Sequence, residues 1–149
     1  MTVLEALREL RWMAKDIEQW RERIDRLRSA TEGMTQRPRD GARGTAEQDH
    51  LAAAVAMIEG MQRTLFCKIV EREKVLLDAE QFVDTLPVSQ RAIIRMKYFD
   101  GMSWAAVSRA AAYDERWCRR LHDRAVRRLS IIWKPEVRSE KDGCLENTP

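Results

Sequence analysis

A chain of 149 residues with 27 Lys+Arg against 24 Asp+Glu, net charge +3, is long enough for one domain with an extension or for two small domains. With 34% charged and 44% hydrophobic residues, only four prolines and six glycines, and abundant Ala, Glu, Leu and Arg, it favours helix over sheet. The longest apolar run, Leu51 to Ile58, stops at Glu59 and is far too short to cross a membrane. The start, MTVLEALRELR, has no uninterrupted apolar core before a cleavage site, so no signal peptide is expected. Cys67, Cys118 and Cys144 are widely separated and include no Cys-x-x-Cys pair. That argues against a disulfide framework and a zinc site, and fits a reducing, cytoplasmic setting.

In chain order, Thr2-Val-Leu-Glu5 forms a capping box that opens a first helix. Val3, Ala6, Leu10, Met13, Ile17, Trp20, Ile24 and Leu27 then step by three and four, with Arg, Glu and Lys between them. This is a coiled-coil seam on a helix of roughly 40 Å. Trp12 and Trp20, on or beside it, are expected in a core or interface. Ser29 to Gln48 carries Gly33, Pro38, Gly41 and Gly44 with few apolar residues, and is read as a flexible linker over 29–48. Thr45-Ala-Glu-Gln48 is a second capping box, ahead of a helix reaching towards Thr85. Leu51, Val55, Ile58, Leu65, Ile69, Leu76, Ala79 and Val83 hold its heptad positions, interrupted by Gln62 and Arg72. Residues 1–85 are therefore expected to form two long heptad helices. They pair as an antiparallel hairpin within the chain or with a second copy as a homodimer; the pattern satisfies both.

Leu86-Pro87 punctuates the second helix, and Pro87 suits the first turn of a third. Ala92, Ile93, Met96, Tyr98 and Phe99 give that third helix its apolar face, and Asp100-Gly101 ends it. Ser103 is an N-cap candidate for a short helix bearing Trp104, Val107, Ala110 and Ala111. After the joint Ala111-Ala112-Tyr113, Asp114 caps a last helix. There Cys118, Leu121, Ala125 and Leu129 make one buried stripe, while Arg116, Arg119, Arg120, Arg124, Arg127 and Arg128 cover much of the rest. A short helix, a tight turn and a basic second helix are the helix-turn-helix pattern, whose second helix enters the major groove. From Leu86 to Lys134 there are 11 Lys+Arg against 4 Asp+Glu, net +7, leaving 16 against 20, net −4, elsewhere. So the basic charge is local, and double-stranded DNA is the expected partner.

Leu86-Pro87, Arg91, the segment Met96 to Ser103 and the closing Arg124-Ala-Val-Arg-Arg-Leu129 resemble region 4 of sigma-70 family factors. With Trp104 and Arg116-Trp117 the resemblance is closest to small phage and prophage late-transcription regulators of the ArpU kind. It covers about a third of the chain. Ala112 stands where the turn often has glycine, Ala106 where an acidic residue is common, and Ser108 where alanine is usual. The expected architecture is all-α: a long, coiled-coil-like N-terminal helical hairpin, a three-helix helix-turn-helix domain of sigma region 4 type over 86–134, and a disordered tail over 135–149. The resemblance implies a regulator that binds upstream DNA and acts with the host RNA polymerase.

Arg116, Arg119 and Arg120 lie where base edges are read, and an arginine fork suits guanine O6 and N7. Glu115 suits either cytosine N4 or the helix dipole. Arg124 and Arg127, with Arg128, are assigned to phosphate or solvent, and Ser103, Arg109 and Lys97 to possible backbone contacts. Trp104 and Trp117 are expected to pack within the motif rather than stack on bases. His50 and His122 have no ligand at metal spacing, and no phosphate loop or nucleophile–base pair is present. No metal, cofactor or catalysis is therefore expected. A small terminase-like DNA-packaging protein, or a coiled-coil adaptor that does not bind DNA, are the alternative readings.

Overall fold

A computed structural model describes residues 2–35 and 44–134. Among these the chain is all helical, without a strand. Helix α1 spans Val3–Thr35, α2 Gly44–Val83, α3 Val88–Ile94, α4 Trp104–Ala111 and α5 Glu115–Ile132. A single π-helical turn, Arg95–Phe99, continues α3. The chain divides into two compact units, Met1–Lys15 with Glu71–Pro149, and Asp16–Val70. The division expected between residues 85 and 86 thus falls inside the first unit, and each long helix contributes to both units.

In the first unit α1 opens on the expected capping box. Thr2 N donates to Glu5 Oε2 at 2.7 Å and Glu5 N to Thr2 Oγ1 at 3.3 Å, satisfying two orphan donors reciprocally. These bonds hold the Glu5 carboxyl below its usual range. Val3 and Leu7 then join Val83, Leu86, Ile94, Tyr98, Ala125 and Leu129 in one buried cluster. The start of α1 is therefore part of the core around α3 and α5. Leu7 lies off the two-position seam read from the sequence, yet it is wholly buried, as is Leu10. A helix covered by several elements buries a face wider than a coiled-coil stripe. Trp12, expected in a core or interface, is instead 64% exposed.

Helix α2 ends at Val83, and Pro87 sits as the residue before α3, with Arg91 N bonded to its carbonyl at 2.9 Å. Proline has no N–H to lose at that place, so the break costs nothing there. The π turn closes with Asp100 N on Arg95 O and Met102 N on Met96 O, both at 3.0 Å, and Gly101 takes the left-handed φ of 69°. Arg72, read from the sequence as a polar interruption of the seam, donates from Nη2 to Phe99 O at 2.8 Å. It thereby satisfies one of the carbonyls that a helix end leaves open. Ile93, Val107, Cys118 and Leu121 form a second buried cluster between α3, α4 and α5, with Trp104 and Trp117 packed against it.

In the second unit, Ile17 and Ile24 of α1 are buried and Trp20 is half-buried. Asp16 Oδ2 accepts from Lys68 Nζ at 2.7 Å, and the same ammonium lies 5.5 Å from the Trp20 ring. Further along, Arg21, Ile24, Asp25 and Arg28 share a cavity of about 220 Å³ with Gln62 and Leu65 of α2. The first seam thus meets α2 of its own chain. The expected linker is corrected at both ends: residues 29–35 continue α1, and 44–48 already belong to α2. Apolar contacts stop near Leu27, but the backbone ladder runs on, with Thr31 Oγ1 back-bonded to Leu27 O at 2.8 Å. Thr45 lies inside α2 rather than ahead of it, so it is not the expected cap. Residues 36–43, and the tail expected to be disordered at 135–149, lie outside the described residues.

Among the described residues no helix is long and apolar enough to cross a membrane, and no three His, Cys, Asp or Glu side chains are grouped to hold a metal ion. Cys118 is a free, buried thiol.

Candidate nucleic-acid interface

Helix α4 starts where Ser103 Oγ accepts from Ala106 N at 3.2 Å, the N-cap bond expected of a serine there. That use occupies an oxygen that had been considered for a backbone contact. Val107 is buried, Trp104 and Ala111 are half-buried, and Ala110 faces out. The helix ends at Ala112, whose φ and ψ of 55° and 32° are left-handed. A β-carbon in that region costs about 1 kcal/mol that glycine avoids. Across the same turn Ser108 Oγ donates to Tyr113 O at 2.6 Å. A bond of this kind is worth about 1 kcal/mol. The two unusual residues of the turn therefore offset each other, since the hydroxyl at 108 braces a turn that alanine at 112 strains.

Asp114 caps α5 by accepting from Trp117 N, and its charge faces the positive end of the helix. Cys118, Leu121, Ala125 and Leu129 are all buried, the stripe read from the sequence without exception. Because one side of α5 is committed, the arginines at the intervening positions must point away. Arg116, Arg119, Arg120, Arg124, Arg127 and Arg128 are all exposed, as are Glu115 and, at the end of α4, Arg109.

These side chains are not equivalent. Arg119 Nη2 bonds to Glu115 Oε1 at 2.7 Å, and its guanidinium lies 4.9 Å from the Trp104 ring. Both members of this pair stay about half exposed, so the pair is worth only about 0–1 kcal/mol and yields readily to a stronger anion. Arg124 lies over the Trp117 ring at 5.5 Å. Arg116, Arg120, Arg127 and Arg128 have no ion pair among the described residues. Trp104 and Trp117 pack against the second buried cluster, as expected, and their rings also support cations, Lys97 and Arg119 at Trp104 and Arg124 at Trp117.

Lys97 is corrected from a candidate contact to a buried residue, 7% exposed. Its ammonium donates to Met102 O at 3.3 Å and stands 4.7 Å from the Trp104 ring. Burial pushes its pKa below the ordinary lysine value, and Arg11, Arg119 and Lys15 push in the same direction. The sequence had suggested neither Arg11 nor Lys15 as a neighbour of this site. They are 80 or more positions away, and only burial of the first α1 turns brings them near. His122 is likewise occupied: its Nε2 shares a hydrogen bond with Tyr98 OH at 2.8 Å, and its Nδ1 lies 3.1 Å from Asp123 Oδ1. Burial raises the Cys118 thiol pKa, and Asp114 adds to the rise, which leaves an unreactive packing residue.

The arrangement can present a row of guanidinium groups to a polyanion, with a helix N-terminus at its leading end and a braced turn behind it. No protein-family model matches this chain, and no curated protein or solved structure matches it.

Proposed function

We propose that the chain is a sequence-specific double-stranded DNA-binding protein. In this reading α4 and α5 form a helix-turn-helix unit of the sigma region 4 kind, and the heptad parts of α1 and α2 form a helical hairpin. The observation that carries it is the two-faced character of α5: an unbroken buried stripe opposite arginines of which four have no internal ion pair. A structural salt-bridge helix would have its charges matched locally; α5 carries six arginines against Glu115 and Asp123. Arg116 and Arg120 are the base-reading candidates, because they are near the N-terminal end and uncommitted. Arg119 becomes available once Glu115 releases it. Arg124, Arg127 and Arg128 suit phosphates, and Arg109 stands at the end of α4 as a further phosphate candidate.

The biological role that goes with this reading is transcription control in a phage or prophage, with the protein bound upstream of a promoter and acting with the host RNA polymerase. Selection of binding sites from random duplexes with the purified protein tests it. Recovery of one motif, with affinity falling steeply as salt rises, is the expected result. Each phosphate contact contributes about −0.9 to the logarithmic salt slope, so four contacts give a slope of about −3.6. Recovery of no motif, with a slope near zero, would exclude DNA as the partner.

A further inference from the structure

The face of α2 turned away from α1 in the second unit is uncovered among the described residues. Ala52, Ala56, Glu59, Arg63, Phe66 and Val70 follow one another at steps of four and three, and all six are exposed. This is a second heptad seam, offset by one position from the seam that meets α1. Phe66 is 67% exposed and Val70 36%. The face of α1 away from α2 in the same unit is quite different, carrying Gln19, Glu22, Arg23 and Arg26. A solvated helix face looks like that of α1; a large aromatic amid alanines with two opposite charges does not.

We infer that this face of α2 binds the same face of a second copy, antiparallel, about a two-fold axis near Met61. In that register Phe66 stands opposite Ala56 of the second copy, Val70 opposite Ala52, and Glu59 opposite Arg63. Symmetry repeats each pairing, as a self-complementary two-fold contact requires. Large residues meet small ones, and each of the two charges meets its opposite. Parallel pairing in register instead sets Glu59 against Glu59 and Arg63 against Arg63, so the charge pattern selects the antiparallel form. Neither Glu59 nor Arg63 has an ion pair among the described residues, although their spacing suits one within the helix. The seam from residue 52 to 70 is about 27 Å long.

Gly60 supplies a second observation. It lies in mid-helix, where glycine costs about 0.5–1 kcal/mol against alanine. A β-carbon there would meet nothing within 4 Å, so no contact among the described residues calls for its absence. Beside Ala56 and Arg63 on the same flank, a bare backbone lets a second helix approach closely. This pairing is independent of the DNA reading, since it uses no residue of α4 or α5.

Sedimentation equilibrium of the full chain tests it, with helicity checked by circular dichroism for every variant. The expected result is twice the 17.4 kDa chain mass at micromolar concentration. Phe66→Glu should leave only monomer. Glu59→Arg alone and Arg63→Glu alone should each weaken association at least about tenfold, because each sets like charges opposite one another twice. The double exchange, Glu59→Arg with Arg63→Glu, should recover it to within about threefold. A wild-type chain that is monomeric at every concentration overturns the proposal and leaves the face to a different protein. A double exchange as weak as the single variants overturns the antiparallel register.

Discussion

At the scale of single residues, the arginines of α5 separate by what already holds them. Arg116 and Arg120 point outward without an ion pair, so Arg116→Ala and Arg120→Ala are each expected to cost about 1–3 kcal/mol of specific affinity. Arg119→Ala should cost less, because its guanidinium must first leave Glu115 and Trp104. Fluorescence anisotropy on the selected duplex, read at one salt concentration, ranks the three; equal losses would contradict the distinction. Lys97 makes an opposite case. Its pKa lies below the ordinary 10.5, so between the lowered value and 10.5 the unfolded chain binds the extra proton and stability rises with pH. Tyr98, raised above 10.0 by burial, keeps its proton longer when folded, so its contribution is lost as pH climbs beyond 10.0. Lys97→Met removes the first effect while keeping the volume. It should raise the thermal midpoint at neutral pH and leave DNA affinity unchanged. A large loss of affinity would return Lys97 to the interface.

At the scale of elements, the last two helices were the most legible. Ser103 and Asp114 are cap residues in the right places, and the three–four spacing of Cys118, Leu121, Ala125 and Leu129 leaves one solution for α5. Leu121→Asp should therefore unfold the first unit, by placing a carboxylate in a fully apolar cluster; unchanged cooperative melting by circular dichroism would refute the stripe. Ala112→Gly should stabilise the α4–α5 turn by about 1 kcal/mol and Ser108→Ala should destabilise it by a similar amount, both read as shifts of the melting midpoint. Helix ends without a burial change were illegible. Residues 29–34 bury no apolar side chain, Met34 being 45% exposed, and the reading stopped where burial stopped, whereas backbone hydrogen bonds continue α1 through Thr35. The π turn at Arg95–Phe99 was missed for a related reason. One extra residue in a turn alters the ladder without altering which residue types suit a helix.

At the scale of the whole molecule, the boundary expected between residues 85 and 86 does not coincide with the division into compact units, because the first turns of α1 belong with residues from Glu71 onward. Counting periodicity along the chain assigned Val3 to a seam for another long helix and left Leu7 out of it. Only the folded arrangement reveals that they share a cluster with Ala125 and Leu129. Long-range closure of this sort leaves no local pattern, so no window of sequence contains it. Leu7→Ala should accordingly cost about 2–5 kcal/mol and lower the melting of α5 along with α1. Separate transitions by hydrogen exchange would show that the cluster does not act as one. That cluster also sets the order of events during synthesis. Val3 and Leu7 are made before every other member of the cluster, and Ala125 and Leu129 are made last. Until translation reaches α5, these apolar side chains stay incompletely sheltered, an open invitation to holdase chaperones.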